Sequence, residues 1–212
     1  MFFAIEGVIG VGKTTLARML QPAFQANLLL EVFEENPFLS NFYSDRARYA
    51  FQTQIFFLLS RYHQQNRNVP GMISDGQRLI SDYTFEKDSL FASINLQGDE
   101  LEMYYRVHEA LAEKIPTPNL IVYLRASTET LMQRIAMRDR PYERQMDPGY
   151  IDMLNRAYDK SFLGEDRRVP VLVLDANQID FVRHPEDLAF VENRIRQSLL
   201  MAPFQPELPI GD

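Results

Sequence analysis

The stretch G-V-I-G-V-G-K-T-T, Gly7 to Thr15, governs the reading of the rest of the chain. Gly7, Gly12, Lys13 and Thr14 fill the fixed places of the pattern G-x-x-x-x-G-K-[ST]. Gly7, Gly10 and Gly12 allow a sharp turn. The N–H groups of the loop, from Gly7 through Val11 to Thr15, can then point at phosphate oxygens. Lys13 adds a cation for the β and γ phosphates, and the Thr14 hydroxyl can ligate Mg²⁺. The helix that follows offers its positive end to the same anion. The context agrees, because the motif follows an apolar run and opens a helical pattern. The expected ligand is a nucleoside triphosphate.

Outward from this loop the chain alternates between apolar runs and helical patterns. Strands are expected at Phe2–Glu6, Leu28–Val32, Leu79–Ser81, Leu120–Leu124 and Val171–Leu174. Helices are expected at 14–24, 45–67, 99–114, 128–138, 148–162 and 185–200, and Pro22 is a candidate early end for the first of them. Pro and Gly punctuate residues 70–77, which reads as a loop. Such alternation predicts an α/β fold, a five-stranded parallel sheet with helices on both faces. Sheets of this kind hold ligands at the carboxyl ends of their strands.

The 212 residues fit one domain, 1–212. Hydrophobic residues make up 46% and charged residues 24%, as in ordinary globular chains. No apolar run reaches the ~18 residues of a membrane span, and no secretory signal is expected from M-F-F-A-I-E-G-V. With no cysteine, disulfides, thiolate metal sites and cysteine nucleophiles are excluded. A cytoplasmic setting is expected. The net charge of −7 argues against a nucleic-acid backbone as partner. A small anion can still be held by a local basic cluster.

The phosphate loop names the nucleotide but not the reaction, since GTPases, ATPases and kinases share it. A GTPase needs a guanine-reading N-K-x-D. The nearest string, Asn177-Gln178-Ile179-Asp180, lacks the lysine. Other residues point to phosphoryl transfer. In R-I-A-M-R-D-R-P-Y-E-R, Arg134 to Arg144, Arg134 and Arg138 share one helix face and Arg140 follows just beyond the helix. Three converging guanidiniums would stabilise charge on a transferring phosphoryl group. They make an arginine-rich lid over roughly 134–146.

An acceptor side is also legible. Leu28-Leu29-Leu30-Glu31-Val32 puts a carboxylate at the end of an apolar strand, where a general base could reach an acceptor hydroxyl. Glu34 and Glu35 lie close behind and remain alternatives. On the long helix Gln54 and Arg61 share a face, ~10 Å apart along the axis. Gln54 sits among Phe51, Ile55, Phe56 and Phe57 and needs a bidentate partner there, of which a nucleobase edge is one. In S-D-Y-T-F-E-K-D-S-L-F-A, Ser81 to Ala92, Asp82 falls beside the expected Mg²⁺ position. Asp88 and Phe91 follow a few residues later.

Together these motifs resemble the deoxyribonucleoside kinase family, especially its bacterial deoxyadenosine/deoxyguanosine branch. The resemblance runs through GVIGVGKTT, E-V-F-E-E-N-P-F-L-S-N-F-Y, F-Q-T-Q-I-F-F-L-L-S-R, D-Y-T-F-E-K-D-S-L-F-A and R-I-A-M-R-D-R-P-Y-E. It implies a P-loop kinase fold, ATP and Mg²⁺ as cofactors, a deoxynucleoside as acceptor and a homodimer. It implies Glu31 as the base acting on the sugar 5′-hydroxyl, and Gln54 as the base-reading glutamine. Arg61 with Asp88 would sense the base edge, which points to purines or deoxycytidine. Tyr43 and Glu143 would meet the 3′-hydroxyl, and Phe91 would stack on the base. Arg134, Arg138 and Arg140 would be the lid. The loop holding Asn177, Asp180 and Phe181 would hold the adenine of ATP.

One departure stands out. The family usually has a D-R-S or E-R-S triplet after the third strand, whereas this chain reads Ser81-Asp82-Tyr83-Thr84. Asp82 can supply the acid, but Tyr83 cannot supply the arginine. Either Lys87 or Asp88 could match the family's aspartate, and only Asp88 accepts a hydrogen bond. Two other readings are kept. A thymidylate kinase would need extra basic residues in the acceptor pocket and no strong base. A non-catalytic nucleotide-binding protein would need no acceptor at all.

Overall fold

The computed structural model describes residues 1–33, 35–74, 76–164 and 167–201. Five parallel strands form one sheet in the order β2-β3-β1-β4-β5. They are β1 (Phe2–Glu6), β2 (Ala26–Leu29), β3 (Arg78–Ser81), β4 (Leu120–Arg125) and β5 (Val171–Asp175). The helices are α1 (Lys13–Phe24), α2 (Leu39–Ser44), α3 (Arg46–Ser74), α4 (Glu86–Asn95), α5 (Gly98–Ala112), α6 (Thr128–Arg138), α7 (Pro148–Phe162) and α8 (Pro185–Ser198).

β1 lies at the centre and is buried along its whole length. Its side chains alternate between the two faces of the sheet. Phe3 meets Phe24 of α1 edge-on, with ring centroids 5.1 Å apart. Phe2 and Ala4 face the other way, onto Val69 of α3 and Leu79. Glu6, next on that face, reaches the hydroxyl of Tyr158 on α7. The register pairs Phe3 with both Ile80 and Leu120. From β1 the chain first builds one side of the sheet, through β2 and β3, and then the other, through β4 and β5. The carboxyl end of β1 is therefore the switch point, and the phosphate loop leaves from it.

Three expectations need correction. β2 ends at Leu29, so Leu30, Glu31 and Val32 lie beyond the strand. β2 is an edge strand whose one neighbour, β3, stops opposite it at Ser81. Past that point the Glu31 N–H donates to the side chain of Asp82 at 2.8 Å. The long helix does not stop at 67. It runs through Pro70 to Ser74, because Val69, Met72 and Ile73 pack on Phe2 and Leu79. That burial outweighs the missing proline N–H. α1 likewise continues through Pro22 to Phe24 and closes on Gln25 in the left-handed region. Two helices were not anticipated, the short α2 and α4.

Among the described residues no helix is long and apolar enough to cross a membrane.

Candidate active site

The phosphate loop is shaped by positions that demand glycine. Gly7 has φ 148°, and a Cβ there would stand 2.5 Å from the Leu124 carbonyl oxygen. Gly12 has φ 105°, and its bare Cα is covered by the Phe181 ring. Lys13, at the start of α1, turns its ammonium back onto the carbonyls of Gly7 (2.7 Å) and Val8 (3.3 Å). Burial lowers this lysine to about 8. Repulsion from Lys87 adds to the effect, and Glu6, Glu31 and Asp82 oppose it. Thr14 donates its hydroxyl to Asp82 Oδ2.

Asp82 therefore has two tasks. Oδ2 takes the Thr14 hydroxyl and Oδ1 takes the Glu31 N–H. A hydroxyl and a carboxylate in direct contact are the hard oxygen donors that suit Mg²⁺, which takes its remaining ligands from phosphates and water. Thr14 and Asp82 are thus fitted to hold that ion together with a bound triphosphate.

Glu31 is clasped from both sides. Arg61 donates Nε to Oε1 at 3.0 Å, with Nη2 on the same oxygen. Lys87 donates to Oε2 at 2.6 Å. Burial alone would raise the Glu31 carboxyl, but Lys87 and Arg61 outweigh it and hold it well below the usual carboxylate range. Arg61 also pairs with Asp88 and lies over the Phe57 ring, 4.6 Å from its centroid. Tyr83 carries no cation. Its hydroxyl donates to Gln64 at 2.6 Å, and Gln64 in turn donates to the Leu30 carbonyl at 2.8 Å, which props the segment carrying Glu31.

These groups surround a cavity of about 560 Å³. Its lining includes Gly10, Gly12, Lys13 and Thr14 of the phosphate loop together with Glu31, Gln54, Lys87 and Phe91. Gln54 is 2% exposed, yet its Oε1 has no hydrogen-bond partner among the described residues. A buried acceptor left unpaired in the free protein is an invitation to a ligand donor. Tyr43 stacks on Tyr142, with ring centroids 5.9 Å apart. Glu143, in a 3₁₀ turn at Pro141–Glu143, takes a two-pronged bond from Arg138 at 2.7 and 2.8 Å. Arg140 lies 3.7 Å from the same carboxylate and over the Phe33 ring.

Not every anticipated residue meets this cavity. Arg134 does not converge with Arg138 and Arg140. It donates to the carbonyls of Val11 (3.0 Å) and Ala176 (2.8 Å) and ties the phosphate loop to the end of β5. Asp88 is fully buried behind Arg61 and does not line the cavity. Asn177 and Asp180 shape the turn after β5. Asn177 accepts the Ser127 N–H at 2.9 Å and Asp180 accepts from Val182 and Arg183. Phe181 lies over Gly12 of the phosphate loop, and none of the three lines the cavity. Glu35 is exposed and does not line it, and Glu34 lies outside the described residues.

Lys87 was missed as a site residue, and so were Thr53, Phe57 and Tyr142. A signal for Lys87 exists in its spacing from Phe91, one helical turn apart.

A model of the family described as "Deoxynucleoside kinase" matches residues 3–200. The chain is 35% identical to a deoxyguanosine kinase of Bacillus subtilis over 202 residues, 94% of this chain and 98% of that protein. It is 33% identical to a deoxyadenosine kinase of Dictyostelium discoideum over 191 residues, 88% of this chain and 75% of that one. Among solved structures, a deoxyadenosine kinase from M. mycoides with bound dCTP superposes with a TM-score of 0.79 at 25% identity. That match covers 93% of this chain and 100% of the other. The parallel sheet, the phosphate loop and these matches agree: the chain belongs to the deoxynucleoside kinase family.

Proposed function

We propose that this protein transfers the γ-phosphoryl group of ATP to the 5′-hydroxyl of a deoxyribonucleoside, with a purine nucleoside or deoxycytidine favoured. One observation carries the reading. Glu31 faces the same cavity as Lys13 and Thr14 and is joined to Thr14 through Asp82. A proton acceptor is thus held at a set place relative to the phosphate loop, as in-line transfer requires.

Glu31 takes the 5′-hydroxyl proton as the oxygen attacks phosphorus, and the bond from γ-phosphorus to the bridging oxygen breaks. Lys13 and the loop N–H groups hold the phosphates. Mg²⁺, held by Thr14 and Asp82, would neutralise phosphate charge when bound. Arg138 and Arg140 serve as lid cations in the 134–146 segment, and Arg134 braces the loop. Gln54 reads the base edge, Arg61 with Asp88 behind it frames that edge, and Phe91 stacks on the ring. Tyr43 and Glu143 meet the 3′-hydroxyl. The adenine of ATP lies along Asn177, Asp180 and Phe181.

The names of two relatives, a deoxyguanosine kinase and a deoxyadenosine kinase, support a purine acceptor. We assign residues 1–212 to one kinase unit acting in the cytoplasm, where ATP and nucleosides meet. A homodimer fits the exposed Leu59 on α3 and Met103 and Val107 on the adjoining α5. The test is incubation with Mg·ATP and each of the four deoxynucleosides, assayed for monophosphate. Turnover of at least one is expected. Turnover with none, or with deoxynucleoside monophosphates alone, overturns the reading.

A further inference from the structure

Glu6 stands outside the roles above. It is the last residue of β1, next to Gly7, and it is fully buried. It does not line the cavity. Four donors converge on its carboxyl. Oε1 takes the Thr84 N–H at 2.6 Å and the Thr84 hydroxyl at 2.8 Å. Oε2 takes the Gly7 N–H at 3.3 Å and the Tyr158 hydroxyl, from α7, at 3.3 Å. Each oxygen therefore serves one backbone N–H, and the two belong to different segments of the chain.

Those two segments carry the site. Gly7 opens the phosphate loop, and its carbonyl receives the Lys13 ammonium at 2.7 Å. Thr84 follows closely after Asp82, whose oxygens hold the Thr14 hydroxyl and the Glu31 N–H. It also comes just before α4, which carries Lys87 and Phe91. Asp82 joins the two segments at the cavity wall. Glu6 joins the same two segments from the buried side.

The placement is costly in itself. Burial pushes the Glu6 carboxyl up from its ordinary value, against the pull of Lys87, Lys13 and the Thr84 bonds. A carboxyl taken out of water needs its lone pairs filled, and here a backbone donor fills one on each oxygen. An amide cannot reproduce this pattern. Its single oxygen can accept from Gly7 or from Thr84, and its NH₂ then faces the other N–H.

Resting on the kinase reading above, we infer that Glu6 is a positioning residue for phosphoryl transfer: acting through Gly7 and Thr84, it sets the phosphate loop against the segment that carries Asp82. The effect falls on rate more than on affinity. In-line transfer depends on the spacing between the base and the γ-phosphate, and a misplacement of about 1 Å costs about 100-fold. ATP and the deoxynucleoside keep their own contacts when that spacing changes.

The test is Glu6→Gln, with Tyr158→Phe as its control. Tyr158→Phe removes the hydroxyl donor, keeps the ring stacked on Tyr123 and leaves both backbone bonds, so its kcat should stay within about two-fold of wild type. Glu6→Gln should lower kcat about 10- to 100-fold, with KM for ATP and for the deoxynucleoside each changed less than about three-fold. Calorimetry with a non-hydrolysable ATP analogue should still count the wild-type number of sites per chain, which separates this loss from a smaller folded fraction. In ¹⁵N-labelled protein the amide protons of Gly7 and Thr84 report the two bonds directly. Glu6→Gln should move at least one of them upfield, and Tyr158→Phe should leave both in place. If Glu6→Gln fails to fold, Glu6→Asp serves instead. It keeps both oxygens but is one methylene too short to hold both N–H groups, so kcat should fall in the same range. A wild-type kcat in the glutamine variant overturns the inference. So does a loss seen only in KM for ATP, a loss matched by fewer binding sites, or an equal loss in Tyr158→Phe. A wild-type protein that phosphorylates no deoxynucleoside overturns the underlying kinase reading instead, while the amide shifts still test the two bonds.

Discussion

Asp82 accepts the backbone N–H of Glu31 at 2.8 Å while its other oxygen takes the Thr14 hydroxyl. The acceptor side of the site is therefore held to the phosphate side by one carboxylate. It also explains how Glu31 is positioned after β2 has ended.

Asp82→Ala should separate the two halves. It leaves a Glu31 N–H and a Thr14 hydroxyl without their partner, a cost of about 1–3 kcal/mol in stability. The loss in kcat should be larger, about 100-fold or more, because position and the Mg²⁺ ligand go together. Thermal unfolding read beside kcat checks this. Equal, small losses in both would contradict it.

ATP affinity should depend on pH through Lys13. Burial, then Lys87, lowers its midpoint to about 8 in the free protein. Bound phosphate favours the charged form, so it raises that midpoint. Below about 8 the lysine is already charged and affinity is flat. Above it, binding must take up a proton, and affinity falls by up to about ten-fold per pH unit. Calorimetry in two buffers of different ionisation enthalpy should report proton uptake.

Gln54→Leu should trade binding for stability. The free protein buries an unpaired Oε1 there, so the apolar replacement should leave unfolding midpoints unchanged or higher. KM for the deoxynucleoside should rise about ten-fold or more as the base edge loses its partner. Chemical denaturation and initial rates together measure both.

Arg134→Met should act on the donor and not on the acceptor. It removes the two backbone bonds that tie Val11 to Ala176. KM for ATP should rise while KM for the deoxynucleoside stays within about two-fold, with about 1–3 kcal/mol lost from stability. Arg138→Met should instead disturb the acceptor, because Glu143 loses its two-pronged partner.

How much could be read in the chain follows from how local each feature is. The phosphate loop is contiguous, so Gly7 to Thr15 reveal it by spacing alone. Five strands are legible because each carries a short apolar run, although β5 at the sheet's edge keeps Val173 and Asp175 exposed. Arg134 and Arg138 share a helix face, but the four-residue step between their positions rises ~6 Å along the axis. That distance sends one guanidinium to the loop and the other to Glu143. The role of Lys87 depends on the phase of α4, a helix too short to show in the pattern, while its neighbour Asp88 points behind Arg61. The end of β2 was misplaced for a different reason. The apolar run continues to Leu30, and only the length of β3 stops the pairing. Pro70 reads as a break because proline is a local signal, whereas the packing of Val69 on Phe2 is not.

The most direct measurement compares wild type with Glu31→Gln, following monophosphate formed from Mg·ATP and the preferred deoxynucleoside. The amide keeps the size and the backbone bond to Asp82 but cannot take the proton. The rate should fall about 100- to 10,000-fold, with ATP binding unchanged. A Glu31→Gln protein that turns over at the wild-type rate would contradict the assignment of Glu31 as the base.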